Sequence, residues 1–233
     1  MKRIIVTGAS SGIGRATAEL FLQSGWEVGL IARRADRLEE MAQAHPNATA
    51  LPADVTDPAA MQDAFDRFGH LDVLFNNAGL FGPAASIDEV ALEDWAQVMA
   101  VNLHGMFIAA RLAFAAMRAQ SPQGGRIINN GSLSAHTPRP NSVCYTTTKH
   151  AITGLTKSLS LDGRPYDIAC GQIDIGNAES ELVASLKAAN PGMDTMDVAH
   201  AASSVLHMAQ MPLGANVQFL TVMATKMPYI GRG

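Results

Sequence analysis

A chain of 233 residues is long enough for one large domain with a substantial core, and we expect a single domain over residues 1–233. Hydrophobic residues make up 48% and charged residues only 16%, which excludes a disordered protein, and the net charge of −4 argues against general binding to nucleic acid or acidic membranes. Two cysteines are too few for a disulfide framework, no apolar run approaches the roughly 18 residues of a membrane span, and the N-terminal apolar run is too short for a signal peptide. These features favour a cytoplasmic protein.

Predicted strands and helices alternate along the chain. A β-branched strand at 3–7 leads through a glycine-rich turn into a helix that ends near Gly25. Further strands are predicted at 27–32, 48–52, 71–75, 126–129, 167–175 and 217–223, and further helices at 35–44, 58–68, 92–119, 143–161 and 196–210. This alternation is typical of parallel β–α–β units. The sequence therefore predicts an α/β fold, a Rossmann-like, doubly wound and mainly parallel seven-stranded sheet with helices on both faces.

The turn after the first strand has the sequence Thr7-Gly-Ala-Ser-Ser-Gly-Ile-Gly14. Its glycines allow a tight turn and a close approach to a pyrophosphate, while the following helix N-terminus offers free N–H groups and the positive end of its dipole. Such a turn can also be only a tight connection, but its place after an N-terminal strand favours dinucleotide binding. The residues predicted to hold the phosphates are Gly8, Ser10, Ser11, Gly12, Ile13 and Gly14.

The end of the second strand indicates which dinucleotide binds. An acidic residue there would bind the ribose 2′-hydroxyl of NAD, whereas this chain has Ala32, Arg33 and Arg34. A guanidinium group can bind a 2′-phosphate through charge-assisted hydrogen bonds, and two cations at a helix N-terminus oppose the helix dipole unless an anion compensates them. The alternative is that both arginines only solvate the start of a helix. We expect NADP(H), with NAD(H) less favoured.

Tyr145 and Lys149 lie four residues apart in a predicted helix and therefore share a face. A tyrosine with a pKa near 10 is a poor acid–base group at neutral pH, but a lysine ammonium and a nicotinamide cation would lower that pKa. Ser132, just after the fifth strand, could hydrogen-bond a substrate oxygen. Because a tyrosine and a lysine at this spacing are common by chance, the prediction depends on the surrounding motifs.

Taken together, these motifs resemble the short-chain dehydrogenase/reductase family. The matching residues run in order from residue 4 to about 176 and are Thr7–Gly14, Asp54-Val55, Asn76-Asn77-Ala78-Gly79, Asn102, Ser132 and Tyr145-Thr-Thr-Thr-Lys149. The resemblance implies hydride transfer between nicotinamide and a carbonyl or secondary alcohol. It makes Tyr145 the general acid or base and has Lys149 hold the nicotinamide ribose. Ser132 would polarise the carbonyl, and Asn102 would hold a water in a proton relay.

The resemblance also implies how the rest of the cofactor is held. Asp54 would bond the adenine amino group, with Val55 packed near the ring. Asn76 and Ala78 would line the ribose side of the cofactor, and Gly79 would permit a close approach of the backbone.

The chain departs from the family pattern after the sixth strand. The family has Pro-Gly followed by a threonine that contacts the nicotinamide carboxamide, whereas this chain has Ile175 and Gly176, with Ser180 near the place of the threonine. Residues 178–193 are the expected substrate lid. The C-terminal segment 227–233 also lacks the usual Asp-Gly-Gly.

Two other functions stay open: a non-catalytic NADP(H)-binding regulatory protein, and an NAD-dependent sugar or polyol dehydrogenase. The presence of Tyr145 and Lys149 favours a catalyst, and the two arginines favour NADP(H). The partner expected is a small carbonyl or alcohol, without a metal, nucleic acid or membrane. Apolar helix faces at 103–119 and 151–161, which family members pair across subunits, predict a homodimer or homotetramer.

The substrate itself is not indicated by the sequence. The pocket is expected to draw on Leu133–Asn141, Ile175–Asn190 and the loop that contains Phe81, and His136 is a further candidate. These segments mix apolar and polar residues, and no charge among them is diagnostic of a substrate class.

Overall fold

The computed structural model describes residues 1–180, 183, 187 and 192–230. The strands are β1 Arg3–Thr7, β2 Glu27–Ala32, β3 Ala48–Pro52, β4 Val73–Asn76, β5 Gly125–Asn130, β6 Ile168–Gly176 and β7 Phe219–Met223. The helices are α1 Gly12–Gln23, α2 Ala35–Ala44, α3 Pro58–Phe68, α4 Leu92–Met99, α5 Met106–Ala119, α6 Val143–Gly163 and α7 Val198–Gln210. Short 3-10 turns lie at Leu133–Ala135 and Arg164–Tyr166.

The strands form one parallel sheet in the order β3-β2-β1-β4-β5-β6-β7. The strand order reverses between β1 and β4, which is where doubly wound sheets open a crevice at their carboxyl ends. This arrangement confirms the predicted Rossmann-like fold, with every described strand pair parallel.

Helices cover both faces of the sheet. Because side chains alternate along a strand, Val6 and Ile5 of β1 enter different cores. The core around Val6 contains side chains of α1, α2 and α7, such as Phe21 and Val205. The core around Ile5 contains side chains of α3 and α5, such as Phe65.

Local signals set both ends of α3 where they were predicted. Asp57 caps α3, since its Oδ1 accepts hydrogen bonds from the backbone N–H groups of Ala59 and Ala60 at 2.9 and 3.1 Å. Pro58 occupies the first helical position, and Gly69, at φ +77°, ends the helix.

Several predicted elements differ from the structure by one or two residues at their ends, and three of the differences have structural interest. β4 begins at Val73 rather than at 71, because the Leu71 N–H and C=O bond the Gln120 side chain at 3.0 and 2.9 Å instead of a neighbouring strand. β7 begins at Phe219 rather than at 217. The predicted helix 92–119 is continuous but contains a wider π-helical turn, Ala100–Gly105, between α4 and α5.

The helical stretch Leu92–Ala119 also has the length and hydropathy of a membrane span, with a mean hydropathy of 1.5 in its most apolar window. Half of that window is buried inside the protein. Ile108, Leu112 and Met117 of α5 belong to the core on one face of the sheet. A core helix of this kind passes the same length and composition test.

Arg126 fastens the chain after α7 to the sheet. It lies in β5 with 1% of its surface exposed. Its guanidinium donates to the carbonyl oxygens of Met211, Pro212 and Ala215 at 2.9 to 3.2 Å and to Asn216 Oδ1 at 2.9 Å. Burial lowers the pKa of Arg126. All three carbonyl groups belong to the segment that directly follows α7.

We expect Arg126→Ala to lower the free energy of unfolding by about 3 kcal/mol, because it opens a cavity and leaves partly buried carbonyl groups without donors. The matched control is Arg67→Ala, which removes an exposed guanidinium 3.5 Å from Asp63 and should change the free energy by less than about 0.5 kcal/mol. Urea denaturation of both variants measures the difference. Equal effects would contradict the fastening role.

Candidate active site

One cavity of about 480 Å³ opens along the carboxyl ends of the central strands. Its volume lies within the range of small-molecule and cofactor sites. The predicted site residues that line it are Gly8, Ser10, Ser11, Gly12, Ile13, Arg33, Arg34, Asp54, Val55, Ala78, Gly79, Ser132, Tyr145, Lys149, Ile175 and Gly176. Gly14, Asn76 and Asn102 are not part of this lining.

The turn between β1 and α1 needs glycine at two positions for two different reasons. Gly12 has φ +52°, a conformation that favours glycine, and it faces the cavity. Gly14 lies behind the turn, where a Cβ atom would come within 2.2 Å of the Gly8 carbonyl oxygen. Gly14 is therefore needed for close packing of α1 against β1, so the residue predicted to hold a phosphate has a structural role here.

The two arginines differ in how they are held. Arg34 Nε donates to Ser10 Oγ at 3.1 Å, which ties the end of β2 to the turn after β1. Arg33 is exposed, and its charge contributes to a lowered Asp54 pKa. The main cause of that lowered pKa is the hydrogen bond from the Thr56 backbone. Asp54 Oδ1 accepts from Thr56 N and Oγ1 at 2.9 and 2.8 Å, so Asp54 faces the cavity as a fixed anion.

Ser132, Tyr145 and Lys149 come together around the carboxyl end of β5. Ser132 and Tyr145 line the same part of the cavity wall as Lys149. Lys149 Nζ donates to the Asn130 carbonyl oxygen at 2.7 Å and lies 5.3 Å from the centroid of the Tyr145 ring. The structure thus assembles three of the four predicted catalytic side chains.

Burial dominates the titration of this group. It raises the pKa of Tyr145 above its ordinary value, against the opposing hydrogen bond from Ser132. It lowers the pKa of Lys149 to about 8, against the attraction of the Asp174 carboxylate. The sequence had suggested that Lys149 would lower the Tyr145 pKa. Within the chain itself the desolvation of the phenolate is the larger effect.

Asn76 points away from the cavity and does not take the predicted position on the ribose side. Its Nδ2 donates to the Met106 carbonyl oxygen at 2.7 Å and to Asn129 Oδ1 at 3.3 Å, and it is 2% exposed. Residues 76 and 77 present opposite faces, as successive residues of an extended chain do, so it is Asn77 that lines the cavity.

Asn77 is a site residue that the sequence analysis did not single out. Its backbone N–H donates to Thr7 Oγ1 at 2.8 Å, and its Nδ2 donates to the Thr7 carbonyl oxygen at 2.9 Å. Its Oδ1 accepts from Asn130 Nδ2 at 2.8 Å. The alternation of the strand that leads into Asn76 and Asn77 was the signal that could have identified it.

Asn102 lies in the π-helical turn and is fully buried. Its Oδ1 accepts from Leu80 N and its Nδ2 donates to the Leu80 carbonyl oxygen, both at 2.8 Å, with a further contact of 3.3 Å to Thr148 Oγ1. The side chain therefore fixes the loop after β4. Its predicted role with a relay water stays a prediction, and a water there would have to use a group other than this engaged amide.

Comparison with known proteins identifies the family. The family model described as short chain dehydrogenase matches residues 2–191. The chain belongs to the short-chain dehydrogenase family. Members of this family are oxidoreductases that use nicotinamide cofactors and small-molecule substrates. The resemblance stated from the sequence motifs is thereby confirmed.

Relatives and solved structures agree with this assignment. An uncharacterised oxidoreductase of Staphylococcus saprophyticus is 37% identical over 164 residues, 68% of this chain and 65% of that relative, so the match spans less than two thirds of the relative's length. The 2-(R)-hydroxypropyl-CoM dehydrogenase of Xanthobacter autotrophicus is 37% identical over 194 residues, 78% of this chain and 77% of that relative. The closed form of serine dehydrogenase complexed with NADP+ has a TM-score of 0.92 at 23% identity, covering 99% of this chain and 98% of that one. This last likeness shows the fold alone.

In this short-chain dehydrogenase, the turn after β1 suits the phosphate groups of a nicotinamide dinucleotide. Ser11 stands at the N-terminus of α1 without a side-chain capping bond, and the first N–H groups of the helix belong to the part of the turn that lines the cavity. At Gly12 an added Cβ would meet Ser180 Cβ at 3.1 Å, so Ser180 lies over the turn. The expected contact of Ser180 with the carboxamide stays a prediction. The predicted lid 178–193 lies mostly outside the described residues.

A buried carboxylate holds the backbone of Ser132. Asp174 Oδ1 accepts from Ser132 N at 2.9 Å and from Gln172 Nε2 at 2.7 Å, and its Oδ2 contacts His136 Nε2 at 2.8 Å. A Cβ at Gly131 would lie 2.0 Å from Asp174 Oδ1. The bond from Ser132 to Asp174 therefore depends on a glycine before the serine. His136, a candidate for the pocket, is instead 38% exposed over the carboxylate and does not line the cavity.

We expect Gly131→Ala to lower the free energy of unfolding by about 2–4 kcal/mol, because the new methyl group must displace a buried carboxylate from its donors. The matched control is Gly154→Ala within α6, where a Cβ would have no neighbour within 4 Å. That control should stabilise the protein by about 0.5–1 kcal/mol. Thermal unfolding compares the two, and a similar response from both variants would contradict the close packing at Gly131.

Proposed function

We propose that this chain is an NADP(H)-dependent oxidoreductase that transfers a hydride between nicotinamide and a carbonyl or secondary alcohol. One observation carries the proposal: the group of Ser132, Tyr145 and Lys149 shares a cavity with Arg33 and Arg34. The strands that position these two groups, β5 and β2, are separated in the sheet by β4 and β1. An extended dinucleotide would span this distance, with its adenosine end at the arginines.

Each catalytic side chain has a role that its environment supports. Bound NADPH supplies the hydride that reaches the carbonyl carbon. Tyr145 donates its hydroxyl proton to the substrate oxygen in reduction and takes it back in oxidation. Ser132 donates a hydrogen bond to the same oxygen. Lys149 donates one ammonium hydrogen to the Asn130 carbonyl oxygen, and its other hydrogens can bind a ribose hydroxyl of the cofactor. Its pKa of about 8 leaves it mainly charged at neutral pH.

The choice of NADP(H) is supported by charge at the end of β2. Arg33 and Arg34 both line the cavity, and the only carboxylate among the described lining residues is Asp54. The side chain of Arg33 forms no hydrogen bond or ion pair with another described residue, so its guanidinium is available for a 2′-phosphate. An NAD-dependent sugar or polyol dehydrogenase stays the alternative.

We further propose a homodimer or homotetramer in which each subunit is one domain over residues 1–233. Phe107 of α5 and Leu161 of α6 are 48% and 59% exposed, on the two helices that the sequence analysis named. These side chains support pairing through the two helices where they join into one apolar patch, since contiguous apolar patches mark protein–protein interaction sites. A cytoplasmic location without metal, nucleic acid or membrane partners stays a prediction.

Replacing Tyr145 tests the catalytic role. We expect Tyr145→Phe to reduce the rate of NADPH oxidation with a panel of activated carbonyls by about 10²–10⁴-fold, the usual contribution of a general acid. Tyr166→Phe is the control, since Tyr166 packs 6.1 Å from the Phe114 ring and outside the cavity. A wild-type protein that binds NADPH and reduces no carbonyl would favour the regulatory alternative. A Tyr145→Phe variant with full activity would contradict the assignment of the acid.

Replacing Arg33 tests the cofactor. Fluorescence titration of the wild-type protein should show tighter binding of NADPH than of NADH. Arg33→Ala should raise the Kd for NADPH about tenfold or more, as expected for loss of a charge-assisted hydrogen bond, and should leave the Kd for NADH nearly constant. Arg67→Ala, on the exposed side of α3, controls for loss of a positive charge. Equal binding of both nucleotides by the wild type would favour the NAD-dependent alternative.

A further inference from the structure

Arg139 is held at the substrate end of the cavity. It lines the cavity together with Ser132, Tyr145 and Phe81. Prolines precede and follow it in the sequence, and they restrict the backbone of this segment. Its carbonyl oxygen accepts a hydrogen bond from Ser142 Oγ at 2.8 Å. Ser142 is the residue directly before α6, the helix that carries Tyr145 and Lys149. The position of this arginine is therefore defined by the fold.

The guanidinium group lies near aromatic rings rather than near an anion. Its Cζ is 5.9 Å from the centroid of Phe81, and Phe81 packs edge-on against Tyr145 with ring centroids 4.8 Å apart. Within the described part of the chain, no hydrogen bond or ion pair engages the Arg139 side chain. By contrast, Arg126 and Arg34 each bond other residues.

The carboxylate of Asp174 is already engaged by other residues. Asp174, below Ser132, accepts hydrogen bonds from Ser132 N and Gln172 and contacts His136. Arg139 also acts on Tyr145, because its positive charge lowers the Tyr145 pKa. A half-buried cation that faces a cavity, with no hydrogen bond or ion pair from a described residue, is suited to bind an anionic ligand, and the planar guanidinium group matches a carboxylate in particular.

We propose that Arg139 binds a carboxylate of the substrate, so that the chain reduces oxo acids to hydroxy acids. This inference rests on the proposed function and adds the substrate class to it. In the reaction, a hydride from NADPH reaches the carbonyl carbon and the Tyr145 proton reaches the carbonyl oxygen, which yields the hydroxy acid and NADP+. The substrate carboxylate takes no part in bond making and stays paired with Arg139. Arg139 lies in the pocket segment Leu133–Asn141, in which the sequence alone indicated no diagnostic charge.

Matched substrate pairs test this directly. The probes are 2-oxobutanoate, 3-oxobutanoate, 4-oxopentanoate and 5-oxohexanoate, each beside its methyl ester, with a phosphorylated ketone as a second kind of anion. For at least one chain length we expect kcat/KM of the acid to exceed that of its ester. The ratio of acid to ester should fall about 10²-fold in Arg139→Ala, which removes a bidentate charged pair, and less in Arg139→Lys, which keeps the charge without the fork.

A binding measurement separates recognition from catalysis. Calorimetric titration of the NADP+-loaded protein with pentanoate and with pentanamide uses ligands that have no carbonyl to reduce. We expect pentanoate to bind about tenfold or more tightly than pentanamide in the wild type, and this preference should disappear in Arg139→Ala. Arg111→Ala, an exposed arginine of α5, is the control for net charge, and NADPH binding by each variant checks that it is folded.

The outcomes distinguish the inference from the function on which it rests. Reduction of ketones and esters without any preference for acids, or an acid preference that survives in Arg139→Ala, overturns the role of Arg139 and leaves the oxidoreductase intact. A preference for the phosphorylated ketone over every oxo acid overturns the carboxylate assignment. Pentanoate binding through Arg139 without reduction of any carbonyl supports the anion site and overturns the proposed function.

Discussion

A chain of hydrogen bonds joins the loops after β1, β4 and β5, and the geometry of the site depends on it. Thr7 at the end of β1 accepts from the backbone of Asn77, and Asn77 in turn accepts from Asn130 at the end of β5. The Asn130 carbonyl oxygen then receives the Lys149 ammonium. Parallel strands bring their carboxyl ends to one edge of the sheet, but they do not by themselves fix the loops that follow. These hydrogen bonds do so, and they connect the turn after β1 to α6.

Two charges around Tyr145 shift its pKa in opposite directions. The Asp174 carboxylate raises the Tyr145 pKa and also favours the charged form of Lys149, whereas Arg139 lowers the Tyr145 pKa. A carboxylate bound at Arg139 would offset that positive charge and so favour the protonated tyrosine. The protonated form is the one that donates to a carbonyl oxygen. The proposed substrate would in this way support the reductive direction by its own charge.

The sequence predicted most of the fold because the decisive signals are local. Strands at 3–7, 27–32 and 48–52 are buried or half-buried runs whose ends are set by turns and caps within a few residues. The features it missed depend on partners far along the chain. The start of β4 is set by Gln120, 49 residues from Leu71, and the π-helical turn places Asn102 against Leu80. In the site, the family motifs predicted which residue types meet. Only the structure shows that Arg139 lines the cavity beside Phe81 and that no described residue forms a hydrogen bond or ion pair with its side chain.

The departure from the family's Pro-Gly pair has a physical counterpart in the sheet. A proline has no N–H to donate and is tolerated mainly at strand ends and edges. With Ile175 in that place, β6 stays paired with β7 up to Gly176, opposite Met223. A Cβ at Gly176 would come within 2.6 Å of Leu133 Cδ1, so the end of β6 is packed closely against the turn that follows Ser132. Asp174, two residues earlier, bonds the backbone of that same turn. The end of β6 is thus positioned by strand pairing, close packing and a buried carboxylate, which replace the restriction that a proline would impose.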